Sequence, residues 1–536
     1  MFSVPRSLQP CLQALLLGGI FTLCLNVCAT VQANQQALPA NVIVVCPTSF
    51  QEAIQPLVQR RQAEGLRVQV IPSQASSADL AKSIQAVADL DTTRYVILVG
   101  DCSLRDATTG SDPKYEVPTL QEPATVTAAW KTTPMLPGDT FYGDFDNDGF
   151  PDAAVGRIPI DSARQLTTYI DRIIHYEDES EFGPWWQRVQ LTAGVGGFGF
   201  LADTAIESVT RGMVTSSMPA WTHTQVTYAS PTSPFNPGLN RFQEAVLKQY
   251  SQGNRFWVYA GHGWVTELDR VPATAAGRPV LANHNVDGLQ LTNSPPPIAL
   301  MFACYTGAFD ANEDCLAEQM LRTPHGPIAV VAGSRVTLPY GNAVVATGLI
   351  RAVYEDHAPR LGDAWRTALR EVATASEANP ELKKRRTMID TLATLISPTA
   401  ANLPAERREH MQLYNLLGDP TLRLLQPQKL PLNVAGNVPA GNPITITGTS
   451  PIDGTLTLSL HRAIGSLPAG TPLEDRHQLA NSTEVARDQV IVKAKQPFSM
   501  QLPTLATLTG TLHVIGAVKE SSAFAIGDVR VLITSE

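Results

Sequence analysis

Short aliphatic runs alternating with amphipathic stretches constrain the fold of this chain more than any other feature. Asn41-Val-Ile-Val-Val45, Leu66 to Ile71 and Tyr95-Val-Ile-Leu-Val99 have the length and β-branched content of strands. Between them, Ser49 to Gly65 and Ala78 to Leu90 place apolar residues at helical spacing. Ser49-Phe-Gln-Glu52 has the form of a capping box at the first helix start. Strands separated by helices cannot pair as hairpins, so the expected product is a parallel sheet with helices on both faces.

The same alternation returns further on. Ser162 to Tyr176 reads as a helix with Leu166, Tyr169, Ile170, Ile173 and Ile174 on one side. Strands are expected at Val189 to Ala193, Thr222 to Tyr228, Phe256 to Ala260, Ile298 to Phe302 and Pro327 to Ala332. Helices are expected at Ala202 to Val214, at Arg241 to Gly253, and from Asp363, read as an N-cap, through Glu371. Pro184-Trp-Trp186 reads as a junction, and Tyr414 to Pro420 closes the α/β part. From about Leu430, short alternating runs separated by Gly, Pro and Asn predict a small all-β sandwich.

At 536 residues the chain exceeds one compact core. Its 44% hydrophobic and 17% charged content is that of a globular protein, and a net charge of -9 without a basic run gives nucleic acid no binding surface. Arg6, the apolar stretch Leu12 to Ala29 and Val31-Gln-Ala33 read as a cleavable export signal. Leu25-Asn-Val27 before Cys28 lacks the form of a lipobox, so no lipid anchor and no integral membrane segment are expected after signal removal. The expected location is periplasmic, cell-surface or secreted. The expected divisions are a signal at 1–33, an α/β part at 34–186, a second α/β part at 187–427 and the sandwich at 428–536. Cys46, Cys102, Cys304 and Cys315 remain in the mature chain, too few for a disulfide scaffold; Cys46 and Cys102, both at strand ends, are a possible pair.

Two stretches carry chemistry. The apolar runs Phe256 to Ala260 and Ile298 to Phe302 stop at Gly261-His262-Gly263 and at Ala303-Cys304. In open α/β sheets ligands gather at the carboxyl ends of strands. A thiol there is a nucleophile once ionised, and an imidazole beside it favours the thiolate or protonates a leaving amine. Gly263 permits close backbone approach, which makes its N–H and that of Cys304 candidate oxyanion donors. Asp144-Phe-Asp146-Asn-Asp148-Gly-Phe150-Pro-Asp152 has the oxygen spacing of a calcium loop, with Asp144, Asp146, Asp148 and Asp152 as side-chain ligands and the Phe150 carbonyl between them. Val155 stands where such a loop carries its bidentate Glu. Gly194 to Gly199 departs from the dinucleotide-binding spacing, and the Gly-x-Ser-x-Gly elbow of a serine esterase is missing.

Tyr259-Ala-Gly-His-Gly263 and Ala303-Cys-Tyr-Thr-Gly-Ala-Phe-Asp310 resemble the His and Cys motifs of the gingipain family of cysteine peptidases, in the caspase-like clan. Tyr95 to Asp101, Asp139 to Tyr142 through Asp152 to Pro159, Cys315-Leu-Ala-Glu318 and Leu416 to Pro420 fall in the order of that family, over about residues 41 to 427. The resemblance implies a two-part parallel-sheet peptidase unit followed by an immunoglobulin-like domain. It implies Cys304 as nucleophile, His262 as acid/base, a thioester intermediate and protein or peptide substrates. The family's acidic determinant for basic P1 side chains matches Asp203. The alternative is a catalytically silent surface or binding protein built on the same scaffold.

Overall fold

A computed structural model of the chain describes residues 38–102, 112–179, 182–196, 218–272, 274, 277–374, 380–397, 399–468, 470–520 and 523–535. The export segment, the expected helix from Ala202 to Val214 and Asp203 lie outside the described residues.

Ten strands form the central sheet: β1 (Val42–Val45), β2 (Val68–Ile71), β3 (Tyr95–Val99), β4 (Ala154–Ile158), β5 (Arg188–Ala193), β6 (His223–Tyr228), β7 (Phe256–Ala260), β8 (Ile298–Phe302), β9 (Ala329–Gly333) and β10 (Tyr414–Leu417). Their order is β2-β1-β3-β4-β10-β9-β8-β7-β5-β6. Every pairing in this sheet is parallel except β9 with β10. The sheet is thus two five-stranded parallel blocks joined antiparallel at its middle. Strand β10, last of the ten in the chain, belongs by pairing to the block built from the first residues.

Strands β1, β3, β4, β8 and β9 are buried along their whole length, as strands covered by helices on both faces must be. Helix Ala163–Glu179 buries Leu166, Tyr169, Ile170 and Ile173, with Ile174 partly covered. Helix Leu361–Ala373 buries Leu361, Ala364, Trp365, Ala368, Leu369 and Val372, one stripe of a 3.6-residue period.

Two helix starts depart from the sequence reading. Ser49 makes no cap: its hydroxyl donates to the Lys114 carbonyl, and the helix begins at Gln55 with Pro56 in its first turn. Asp363 lies inside helix Leu361–Ala373, whose N-cap is Arg360, and accepts the Tyr95 hydroxyl at 2.8 Å. In both cases a distant partner outbids the local backbone for the side chain. No disulfide joins Cys46 to Cys102; both are buried, and burial pushes the Cys46 thiol up to about 12.

Buried charges brace the first block. Arg157 of β4 pairs with Asp139 at 2.7 and 2.9 Å. Arg61 reaches Glu177 at 2.7 Å and Asp419 at 2.7 Å. The Asp419 carboxylate also takes the Thr421 N–H at 2.7 Å, so Leu416 to Pro420 acts as a junction of strand, turn and buried ion pair. The C-terminal region forms a six-stranded and a three-stranded sheet, with Leu456, Leu458, Leu460, Ile444, Ile446, Leu502 and Val514 in their common core. Its Asn481 closes the outer edge of β6, accepting the Val226 N–H at 2.6 Å and donating to the Val226 carbonyl at 2.9 Å.

The hairpin of Leu120–Pro123 and Met135–Gly138 is fastened by Glu409. Its carboxylate accepts N–H groups of Thr125, Val126 and Thr127 at 2.8, 2.7 and 2.7 Å and both threonine hydroxyls. Burial alone would raise this carboxyl; the Thr125 and Thr127 bonds outweigh it and hold it below the usual range. Glu409→Ala leaves those donors unmatched and is expected to lower unfolding free energy by about 2–4 kcal/mol in denaturant titration at pH 7. A depressed carboxyl stabilises fully above the ordinary Glu pKa of about 4.3, so the difference between the proteins should shrink as pH falls through the lower folded value.

Candidate active site

Strands β7 and β8 lie side by side in parallel register, Phe256 opposite Ile298 and Ala260 opposite Phe302. His262 and Cys304 share that separation in sequence, so each follows its strand end by the same two residues and the pair leaves the sheet at one level. The Gly261 N–H bonds the Phe302 carbonyl at 3.4 Å, carrying the contact past the last ladder pair. Gly263 then lies against the Cys304 backbone. A Cβ there would stand 2.8 Å from the Cys304 carbonyl, 2.9 Å from Ala303 Cβ and 2.6 Å from Thr306 Cγ2. Glycine at position 263 is therefore demanded by close packing of the two strand ends. No backbone carbonyl among the described residues accepts the N–H of Gly263 or of Cys304.

Cys304 is half-buried. Its sulfur accepts the Thr337 N–H at 3.4 Å and lies 3.7 Å from the Thr337 carbonyl. Burial pushes the thiol up, and the Thr337 bonds oppose this in part. Tyr305, the next residue, has φ +57°, so the chain turns sharply as it leaves Cys304. Three contacts hold that turn. Tyr305 N–H donates to the Arg335 carbonyl at 3.1 Å, Thr133 N–H donates to the Tyr305 hydroxyl at 3.3 Å, and Arg335 grips Asp310 at 2.8 and 2.6 Å.

His262 Nε2 lies 3.0 Å from the Gly196 carbonyl, and its ring stands beside Trp264 with centroids 6.4 Å apart. Its main chain is fixed at both ends: the N–H donates to Asp269 at 3.1 Å, and the carbonyl accepts from the Tyr259 hydroxyl at 2.9 Å. Thr337 and Asp269 were not singled out from sequence, since they lie on separate turns and carry no spacing signal. Tyr259 is visible inside the His motif, and of Asp310 and Arg335 only the first is visible, inside the Cys motif.

The acidic loop is distinct. Carboxylate oxygens of Asp144, Asp146 and Asp152 come within 4.8 Å of one another. Gly149, at φ +85°, and Asn147, at φ +60°, make the tight bends. Asp148 is not in that group; its carboxylate caps the Phe150 N–H at 2.8 Å, while its own N–H is shared by Asp144 and Asp146 at 3.2 Å each. Val155 lies buried in β4. Burial raises the Asp144 carboxyl, the Gly149 N–H holds it partly down, and the Asp148 and Asp152 charges raise it further. An oxygen set of this kind, with like charges crowded together, fits a hard divalent cation. Among the described residues no helix is long and apolar enough to cross a membrane.

Gly263→Ala should force the strand ends apart. With the Cys304 sulfur displaced by a few tenths of an ångström or more, a loss of about 100-fold in any turnover that depends on that thiol is expected, with an unchanged far-UV spectrum.

Residues 35–425 match the model of peptidase family C25. Gingipain R2 of Porphyromonas gingivalis is 26% identical over 307 residues, covering 55% of this chain and 36% of that protein. Gingipain R1 of the same organism is 25% identical over 307 residues, covering 55% of this chain and 27% of that protein. The chain thus spans about a third of the length of these relatives. A crystal structure of the Arg-specific cysteine proteinase gingipain R aligns with TM-score 0.52 at 18% identity, over 94% of this chain and 99% of that one, a likeness of fold. With the matched region spanning most of the sequence and containing both strand ends, the chain belongs to peptidase family C25, the cysteine peptidase family of the gingipains.

Proposed function

We propose that the protein is an exported cysteine endopeptidase acting through Cys304 and His262. The observation that carries this reading is the shared register of β7 and β8, which brings both residues off the sheet at one level with Gly263 packed on the Cys304 backbone. Cys304, deprotonated with the help of His262, attacks the scissile carbonyl. The N–H groups of Cys304 and Gly263 are the donors assigned to the developing oxyanion. His262 then gives its proton to the leaving amine, a thioester remains on Cys304, and water activated by His262 hydrolyses it. The half-buried, raised thiol makes the proton acceptor essential, since unaided it holds its proton at neutral pH. A basic P1 side chain is the assigned preference, on the match of Asp203 to the family's acidic determinant and on the Arg specificity of gingipain R, the proteinase whose crystal structure aligns with this chain. Calcium is the assigned structural ion of the loop, with Asp144, Asp146 and Asp152 as carboxylate ligands, the Phe150 carbonyl beside them and Asp148 shaping the turn. Export rests on the signal at the start of the sequence.

Cleavage of a peptide library should fall to background in Cys304→Ala and His262→Ala while the fold persists, with cuts after Arg or Lys in the active protein. Undiminished cleavage by Cys304→Ala would remove the thiol mechanism, and cuts without basic P1 residues would remove the role given to Asp203. Chelation should lower the melting temperature of the wild type; at a hundredfold excess over Kd the bound ion is worth about 2.7 kcal/mol. Asp146→Ala should melt at the chelated temperature with or without added calcium.

A further inference from the structure

Two separate pieces of chain close on one buried carboxylate at the back of the site. Asp269 is 2% exposed and lies on the return arm of the turn that follows His262, closed by a Trp264 N–H to Glu267 carbonyl bond of 2.8 Å. Its Oδ2 accepts the His262 N–H at 3.1 Å and the Val195 N–H at 3.2 Å, and lies 3.0 Å from the Tyr259 hydroxyl. The Asp269 N–H returns to that hydroxyl at 3.2 Å. Two glycines make room for it: a Cβ on Gly194 would stand 1.8 Å from Oδ2, and one on Gly261 2.8 Å. Val195, held by the carboxylate, precedes Gly196, whose carbonyl touches the imidazole.

A buried carboxylate costs several kcal/mol of desolvation unless something nearby uses its charge. Burial raises the Asp269 carboxyl, and the largest influence acting against that rise is the charge of His262. A negative Asp269, bonded to the His262 main chain, attracts positive charge on that residue, the form that must exist once Cys304 has given up its proton. Among the described residues, the other titratable groups around the pair are Tyr259 from β7, Cys304 just beyond β8, and Tyr414, on which the Cys304 charge acts. Glu267 on the same turn is paired to Arg270 at 2.6 Å.

We propose that Asp269 is the positioning residue of this site: one carboxylate fixes the His262 main chain and the Val195–Gly196 segment around the imidazole and supplies the charge that favours imidazolium. The proposal rests on Cys304 and His262 being the reacting pair, and its test reads that pair apart from peptide cleavage. In the full-length protein, the pH dependence of Cys304 alkylation by iodoacetamide is measured for wild type, Asp269→Asn and Asp269→Glu, with Cys304→Ala as blank. Asp269→Asn should slow alkylation at pH 6 at least tenfold and move its ascending limb to higher pH. It should lower kcat for peptide hydrolysis at least thirtyfold with KM within twofold, and move the alkaline limb to lower pH. Asp269→Glu should recover part of both. Asp269→Ser, smaller and uncharged, carries the same expectation and replaces the Asn variant if that one does not fold. A wild-type alkylation profile in the neutral variants overturns the proposal. So does an equal loss of kcat in the Asn and Glu variants with no movement of either limb, which is the signature of a purely structural residue. A wild type that alkylates readily but cleaves no peptide overturns the proposed function and leaves the alkylation arm to decide Asp269.

Discussion

The parallel ladder between β7 and β8 is the interaction on which the site depends. Main-chain hydrogen bonds set its register, and register in a sheet admits no small error, since a slip of one residue reverses every side chain. His262 and Cys304 each lie two residues beyond the ladder, so their relative level is inherited from bonds made inside the sheet. Gly263 converts that inheritance into contact, because any larger residue there would meet the Cys304 carbonyl and Ala303.

Around this ladder, buried charge does the work of holding loops. Asp310 with Arg335 fixes the turn after Cys304, Asp139 with Arg157 anchors β4, and Glu409 gathers the hairpin that reaches Tyr305. Each is a group whose loss would leave a charge or several donors uncompensated away from water. Several motifs that mark the family therefore serve architecture. The segment Leu416 to Pro420 is the clearest, since Asp419 joins Arg61 and Thr421 and Gly418 occupies φ +134° where β10 turns away from the sheet. Asp269 differs from these in facing His262 and in having, among the described residues, no cationic side chain bonded to it.

Strands were the most legible part of the sequence. β1, β3, β8 and β9 are continuous apolar runs because helices cover both faces, and such runs read directly as buried strands. Helix starts were less legible. Ser49 and Asp363 have the chemistry of caps, yet Lys114 and Tyr95, remote in sequence, claim their oxygens. The antiparallel seam was hidden as well: nothing local in Tyr414 to Leu417 distinguishes a strand that extends its own block from one that crosses to the other.

By itself the sequence determined the candidate pair Cys304 and His262, their positions at strand ends, the acidic loop and the α/β-then-β order, because each is written in contiguous residue types and periodicity. Tertiary structure alone decided that β7 and β8 are neighbours, that Thr337 bonds the Cys304 sulfur, that Asp148 caps a turn, and that the acid seven residues after His262 accepts its main-chain N–H. The first two are contacts between segments with no sequence relation. Their geometry is set by how the sheet is assembled, so no local pattern can encode them.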